Sequence, residues 1–300
     1  MMFRHLVLPA ACAAVLVPCL LSQKTDVKRP PIVGIAHIAL KTNSLPAARE
    51  FYGRYLGYEE VSSVHGTLFK VNDHQYIAVT DSLTGDEDRL DHIAFETADA
   101  RALRTYLAAK DVKVPASLEP GTDGDYSFTV DDPEGHHIEF VEYRKGSAAS
   151  RGFGKNLPKS RISERIIHGG FTIQDAEKAD RFYADILGFK NTWHGGMTDT
   201  KTDWVDMRVP DGPDWLEYML NQPHPSVKTR GVMNHLALGV PEIQAAYHEL
   251  EKRGLKMDAP PKIGRDGKWQ LNLYDPNLTR AELMEPKPVQ EPCCSPFLDK

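Results

Sequence analysis

Between its two ends the chain has no cysteine: the four lie at Cys12, Cys19, Cys293 and Cys294. The body can therefore hold neither a disulfide framework nor a thiolate metal site. It also lacks a basic surplus. The 36 Lys and Arg stand against 42 Asp and Glu, a net charge of −6, which excludes the electrostatic footprint of a nucleic-acid binder. No apolar run is long enough for a stable membrane span, because the one candidate, in residues 1–22, is short and broken by Pro9 and Pro18. MMFRHLVLPAACAAVLVPCLLS instead has the basic start, apolar middle and small residues of a secretory signal peptide, with cleavage near Ser22. The mature chain is expected to be exported, to a periplasm or the medium. Pro9 and Pro18, at or near the cleavage positions before Cys12 and Cys19, argue against a lipid anchor. The other two cysteines sit in a proline-rich tail, 287–300, expected to be unstructured.

What the chain does have is a repeat. GIAHIAL (34–40), RLDHIAF (89–95), RIIHGGF (165–171) and VMNHLAL (232–238) align four histidines: His37, His92, His168 and His235. Each alternates with apolar neighbours, the period of two of a strand with unlike faces. Two residues on comes a small side chain, Ala39, Ala94, Gly170 or Ala237. Positions i and i+2 share a strand face, so each histidine has space beside it. A lone histidine on an apolar strand is usually a packed core residue, but four in register favour a duplicated site.

An amphipathic helix follows each such strand. Asp175 caps one whose apolar face is Ala179, Phe182, Tyr183 and Ile186, and Gly188 ends it. The first spans Leu45 to Leu56, expected to bury Ala48, Phe51, Tyr52 and Tyr55, and Gly57 closes it. Short strands come next, so the unit reads βαβββ, four times over. Residues 145–162, glycine- and serine-rich and without periodicity, read as a linker. The boundaries are then 30–144 and 163–286, two units to each half, and the halves are expected to unfold separately.

The last strand of three units places a glutamate between apolar residues: HHIEFV with Glu139, WLEYML with Glu217 and RAELME with Glu282. A carboxylate inside such a strand needs a partner or an exposed face. Imidazole and carboxylate on facing strands can supply both the partner and a site for Zn, Ni, Mn or Fe. Unit one departs from the rule, its matching position reading as Ile77, or Gln75 if the register slips.

On these strand histidines, the FY helix ends (Phe51 to Tyr58 and Phe182 to Phe189) and the Asp-Pro turns before Glu139 and Glu282, the chain resembles the vicinal oxygen chelate superfamily. That group includes glyoxalase I, bleomycin-resistance proteins and extradiol dioxygenases. The resemblance, over roughly residues 32 to 286, implies an α+β fold with four βαβββ modules paired into two cupped sheets. It also implies one divalent metal, or two with one in each half. The C-terminal half offers His168, Glu217, His235 and Glu282 as ligands, with Glu217 or Glu282 as catalytic base. The N-terminal half offers His37, His92 and Glu139. Four ligands make the C-terminal set the expected principal site and the N-terminal one a decayed copy.

The resemblance implies a glyoxalase-like lyase or isomerase acting on a small vicinal-oxygen substrate. An iron-dependent dioxygenase and a non-catalytic binder are the alternatives. Against the dioxygenase, no histidine lies between His248 and Glu282, and Tyr274 adjoins Asp275 instead of preceding it by two. Substrate contacts are expected from Arg280, Trp215 and Arg208, with Trp193, Trp269 and His137 as further candidates; Arg280 suits an anionic group.

Overall fold

The computed structural model describes residues 27–63, 66–222 and 224–298. The segment read as a signal peptide lies outside the described residues. The first module comprises β1 (Ile32–Thr42), α1 (Leu45–Ala48), β2 (Glu59–Ser63), β3 (Gly66–Lys70) and β4 (Tyr76–Asp81). The second has β5 (Leu90–Thr97), α2 (Ala100–Ala109), β6 (Tyr126–Asp131) and β7 (His137–Glu142), with two strands after its helix where three are expected. A short helix α3 (Ala148–Arg151) leads to the third: β8 (Arg165–Thr172), α4 (Ala176–Asp180), β9 (Lys190–Gly195), β10 (Trp204–Arg208) and β11 (Trp215–Met219). After α5 (Val227–Met233) come β12 (His235–Gly239), α6 (Ile243–Lys252), β13 (Lys262–Ile263), β14 (Trp269–Tyr274) and β15 (Arg280–Met284).

The strands form two mixed sheets. One has seven strands in the order β2-β3-β4-β1-β5-β7-β6, the other eight in the order β13-β14-β15-β12-β8-β11-β10-β9. In each, the two histidine strands lie antiparallel at the centre, β1 on β5 and β8 on β12. The glutamate strands run parallel beside them. The α+β architecture with paired modules is thus as the repeat implies.

Two local expectations change. The helices after β1 and β8 begin as α-helices and continue as π-helices, Arg49–Tyr55 and Arg181–Ile186. An i→i+5 turn carries an extra residue, so Phe51 and Tyr52, and likewise Phe182 and Tyr183, are buried side by side, 0–4% exposed. The segment read as a linker is built into the fold. Lys70 Nζ donates to the carbonyls of Gly152 and Lys155 at 2.5 and 2.9 Å, holding α3 against β3.

The halves do not have separate cores. One cluster of buried apolar side chains takes in Ile38, Phe69, Ile93 and Phe140 from the first, and Phe171, Phe189, Leu216 and Leu283 from the second. At Gly169 a Cβ would lie 2.7 Å from Ile93 Cδ1 and 3.1 Å from Ile38 Cδ1, so glycine lets β8 sit directly on β1 and β5. Gln75 bridges the halves through its amide, donating to Ile166 O and accepting from Ile166 N, both at 2.9 Å. This shared interior argues against separate unfolding of the halves. The tail, expected to be unstructured, is seated on the second sheet. Leu298 N donates to Thr192 O at 2.8 Å, and the Phe297 ring stacks on Trp193.

Candidate metal centres

The strand register explains the small residue after each histidine. His37 lies opposite Ala94 and His92 opposite Ala39; His168 lies opposite Ala237 and His235 opposite Gly170. Each ring crosses to the neighbouring strand and covers its small residue. At Gly170 the fit is tight, because a Cβ there would come within 2.2 Å of His235 Cε1.

The same register places the glutamates. Glu139 pairs with Ala94, Glu217 with Gly170 and Glu282 with Ala237, so each carboxylate stands beside the small residue that a histidine overhangs. In the first module the residue opposite Ala39 is Ala78. The position without a carboxylate is therefore Ala78, not Ile77 or Gln75: Ile77 points into the core, and Gln75 bridges the halves.

In the N-terminal half the three expected ligands meet. His37 Nε2 and His92 Nε2 are 2.8 Å apart, and Glu139 Oε2 is 3.0 and 3.1 Å from them. Three ligand atoms each about 2.1 Å from one ion, at mutual right angles, would be about 3 Å apart, so the triad fits a divalent cation. Asp91 Oδ2 is 2.8 Å from His92 Nδ1 and turns the other ring nitrogen toward the cluster. The Tyr76 ring stacks on His37 at 4.6 Å. Burial opposes the charges here, but hydrogen bonding overrides it. Asp91 and Glu139 raise His92 to about 9, and the two imidazoles hold Glu139 far below the usual carboxylate range. Beside His37 and Glu139 opens a cavity of about 310 Å³, walled by Val61, Leu68, Tyr76, Val141, Tyr143 and α3.

The C-terminal set also converges, more loosely. His168 Nε2 and His235 Nε2 are 3.0 Å apart, and Glu217 Oε2 lies 3.2 Å from His235 and 3.9 Å from His168. Glu282 Oε2 is 3.8 Å from both rings. His235 Nδ1 donates to Met233 O at 2.7 Å, which leaves the Nε2 lone pair for a ligand. Arg280 takes that place: its Nη2 is 2.8 Å from His235 Nε2 and 3.8 Å from each glutamate. Burial first, then the charge of Arg280 and its neighbours, pushes both histidines well down, and burial raises Glu282 to about 7. Asp206 and Asp266 add two buried carboxylates and Lys268 one ammonium. Burial raises all four acids of the set, and a divalent ion beside them would favour their ionised forms.

The second cavity, about 350 Å³, is lined by Trp193, Trp204, Trp215 and Arg280 among others. Trp215 packs on His168 at 4.8 Å, and Trp215, Arg280 and Trp193 all line this cavity. Arg208 pairs with Trp215 across the sheet but does not line the cavity, and Trp269 packs against the main core. His137 is exposed and bound to Asp131 at 2.7 Å. Sequence reasoning missed Tyr76, Asp91 and Lys268. The sign of Tyr76 was its place two residues before the empty carboxylate position, where Trp215 and Arg280 stand in other modules.

Paired modules that bring strand histidines and glutamates together on one sheet face define a class of protein with two potential metal centres per chain. The chain belongs to the Glyoxalase/Bleomycin resistance protein/Dioxygenase superfamily, whose family model matches residues 34–140 and again 165–283. Glyoxalase I of Saccharomyces cerevisiae is 26% identical over 99 residues, a stretch covering 33% of this chain and 28% of the yeast protein. The chain thus matches under a third of that relative's length.

Among solved structures, the Mn(II)-bound glyoxalase from Novosphingobium aromaticivorans superposes with a TM-score of 0.65 at 19% identity, covering 85% of this chain and 83% of that one. The 2,3-dioxygenase LapB from Pseudomonas sp. KL28 gives 0.66 at 16%, covering 88% and 97%. Homoprotocatechuate 2,3-dioxygenase from Arthrobacter globiformis gives 0.65 at 18%, covering 87% and 82%. At these identities the likeness is one of fold.

Proposed function

We propose that the protein is an exported, metal-dependent enzyme acting on a small substrate with two vicinal oxygens, and that the N-terminal triad is its working centre. The observation that carries this reading is the spacing of His37, His92 and Glu139, 2.8–3.1 Å between ligand atoms beside a cavity of about 310 Å³. A divalent ion there would act as a Lewis acid toward substrate oxygens. The chain's own residues do the rest. Asp91 fixes the tautomer of His92, and Tyr76 holds the ring of His37 in plane. Burial keeps Tyr76 and Tyr143 protonated beside the cavity, and the Tyr143 hydroxyl donates to His74 O at 3.0 Å. Val61, Leu68 and Val141 offer an apolar wall for a carbon skeleton. Two histidines and one carboxylate leave coordination positions open, the donor set suited to iron and oxygen chemistry on adjacent hydroxyls.

A second reading, a glyoxalase-like lyase or isomerase at the C-terminal set, is favoured by one observation. Glu282, raised to about 7 beside two neutral histidines, can take and return a proton near neutrality, with Glu217 as the alternative base.

Metal analysis of protein purified without added metal, with turnover of Glu139→Gln and of the Glu217→Gln/Glu282→Gln pair, separates these readings. The N-terminal assignment expects Glu139→Gln to lose metal and activity, and the pair to keep the activity. The reverse pattern moves the centre to the C-terminal set. Oxygen uptake on an aromatic diol by the iron-loaded protein distinguishes ring cleavage from isomerisation. Export is checked by the N-terminal residue of the mature chain, expected near Gln23.

A further inference from the structure

The cysteine pair in the tail has no part in either centre. Cys293 and Cys294 are joined in a disulfide between adjacent residues. Cys294 is exposed and has φ +72°, a left-handed conformation that residues other than glycine rarely adopt. The tail around them joins the two edges of the eight-stranded sheet, the turn between β13 and β14 on one side and β9 on the other. On one side Val289 N donates to Gly267 O and Cys293 N to Arg265 O, each at 2.8 Å. On the other, Ser295 Oγ both accepts from His194 N and donates to His194 O at 3.0 Å, and Leu298 N donates to Thr192 O. Phe297 packs on Trp193 and on the ammonium of Lys268, which in turn lies over Trp215. Residues of both edges, Gly264 and Arg265 on one and Trp193 and Met197 on the other, line the second cavity.

We propose that Cys293–Cys294 is a redox-exchange site taking a dithiol as its reductant, and that the tail is a strap between the two edges that wall the second cavity, which this exchange releases. Arg265 chooses the leaving sulfur. Its Nη2 lies 3.8 Å from Cys294 Sγ and also pairs with Asp199, whose carboxylate stands within 4.8 Å of both sulfurs, so the guanidinium offsets that charge and favours the thiolate at Cys294. A thiolate of the reductant attacks Cys293 Sγ, breaking the S–S bond and making a mixed disulfide as Cys294 departs as thiolate. The second thiol of the reductant attacks that mixed disulfide, frees Cys293 and closes the reductant's own disulfide. Two electrons pass from the dithiol to the pair, and its two protons end on the two cysteines by way of solvent. With the ring opened, nothing covalent holds Cys294 in its left-handed conformation, and the anchors on either side lose their alignment. An oxidising compartment, where export would deliver the chain, keeps the strap closed.

The test is alkylation mapped to the tail peptide, together with hydrogen exchange of the full chain before and after dithiothreitol. Without reductant the tail cysteines should resist alkylation; after it both should react, and the amides of Cys293, His194 and Leu298 should exchange about tenfold faster. Cys293→Ser/Cys294→Ser should show the faster exchange with or without dithiothreitol. Arg265→Gln should slow reduction by about threefold or more. The proposal is overturned if both tail thiols are already free in protein kept from reductant, or if the double variant keeps the slow exchange of the oxidised chain.

Discussion

The Tyr52 hydroxyl donates to Asp275 Oδ2 at 2.9 Å, across 223 residues of sequence. Its counterpart is Tyr183, which donates to Asp132 Oδ2 at the same distance. In each case the tyrosine lies in the π-helical stretch of one half, and the aspartate opens the Asp-Pro turn that feeds a glutamate strand of the other. Oδ1 of each aspartate already holds two backbone amides of its turn, Glu134 and His136 in one, Asn277 and Thr279 in the other. The strands that carry Glu139 and Glu282 are thus positioned partly by the opposite half.

One cooperative unfolding transition follows from this exchange and from the shared core. All four tryptophans, Trp193, Trp204, Trp215 and Trp269, lie in the C-terminal half. Tryptophan fluorescence therefore reports that half alone, while far-ultraviolet dichroism reports both. The two urea curves should coincide. Tyr52→Phe and Tyr183→Phe should each cost about 1–2 kcal/mol without splitting the transition. Two separated transitions in the unaltered protein would refute the shared core.

Much of this was legible in the sequence because strand alternation is strict. The four histidines, the three glutamates and the facing of their apolar neighbours all follow from a period of two. The register between strands did not, since a one-residue slip in pairing leaves the alternation within each strand intact. That is why Ala78 was misplaced as Ile77. Nor did the sequence show Arg280 inside the histidine pair, because alternation gives a side chain's face but not where its end reaches. The contacts between halves were hidden for a related reason: Tyr52 and Gln75 read as ordinary core and turn residues until the other half is in place.

The register makes Ala78 the place to complete the N-terminal set. It is 3% exposed and stands to Ala39 as Glu217 stands to Gly170. Ala78→Glu should add a fourth ligand, tighten metal binding by about tenfold or more and slow turnover by filling an open position. Equilibrium dialysis of the metal checks the first effect, and steady-state kinetics the second. Unchanged affinity in a folded variant would place the carboxylate elsewhere and count against the register argument.

Asp214 gives the junction a pH dependence. Its carboxylate accepts from Ile35 N, Gln75 Nε2 and Arg165, yet burial outweighs them and raises it to about 6 from an ordinary 3.8. A raised acid favours the folded state fully below its unfolded pKa, and that contribution is lost as pH rises through the folded value. The window therefore runs from about pH 4 to about 6, and the contribution amounts to about 3 kcal/mol at most. Asp214→Asn should gain stability relative to the unaltered protein as pH is raised from 4 to 7, followed by urea midpoints. A difference between the two proteins that does not change with pH would show that Asp214 stays ionised throughout.

Arg280 decides what the C-terminal set can hold. Its guanidinium donates into the one nitrogen of His235 left free for a ligand, and its charge helps keep both imidazoles neutral. A metal entering between His168 and His235 must displace it, so the same side chain that balances two of the buried carboxylates competes with the ion. Arg280→Met keeps the length of the stem and removes the competitor, leaving Glu217 and Glu282 uncompensated in a buried site. Without metal the variant should lose about 3 kcal/mol or more of stability, because removing one partner strands the other charges. With millimolar Zn or Mn it should recover that loss, since binding to the folded state alone adds stability by mass action. Thermal melts with and without metal read both effects. A variant as stable as the parent without metal, or one that metal does not rescue, would show that the guanidinium is not standing in the ion's place.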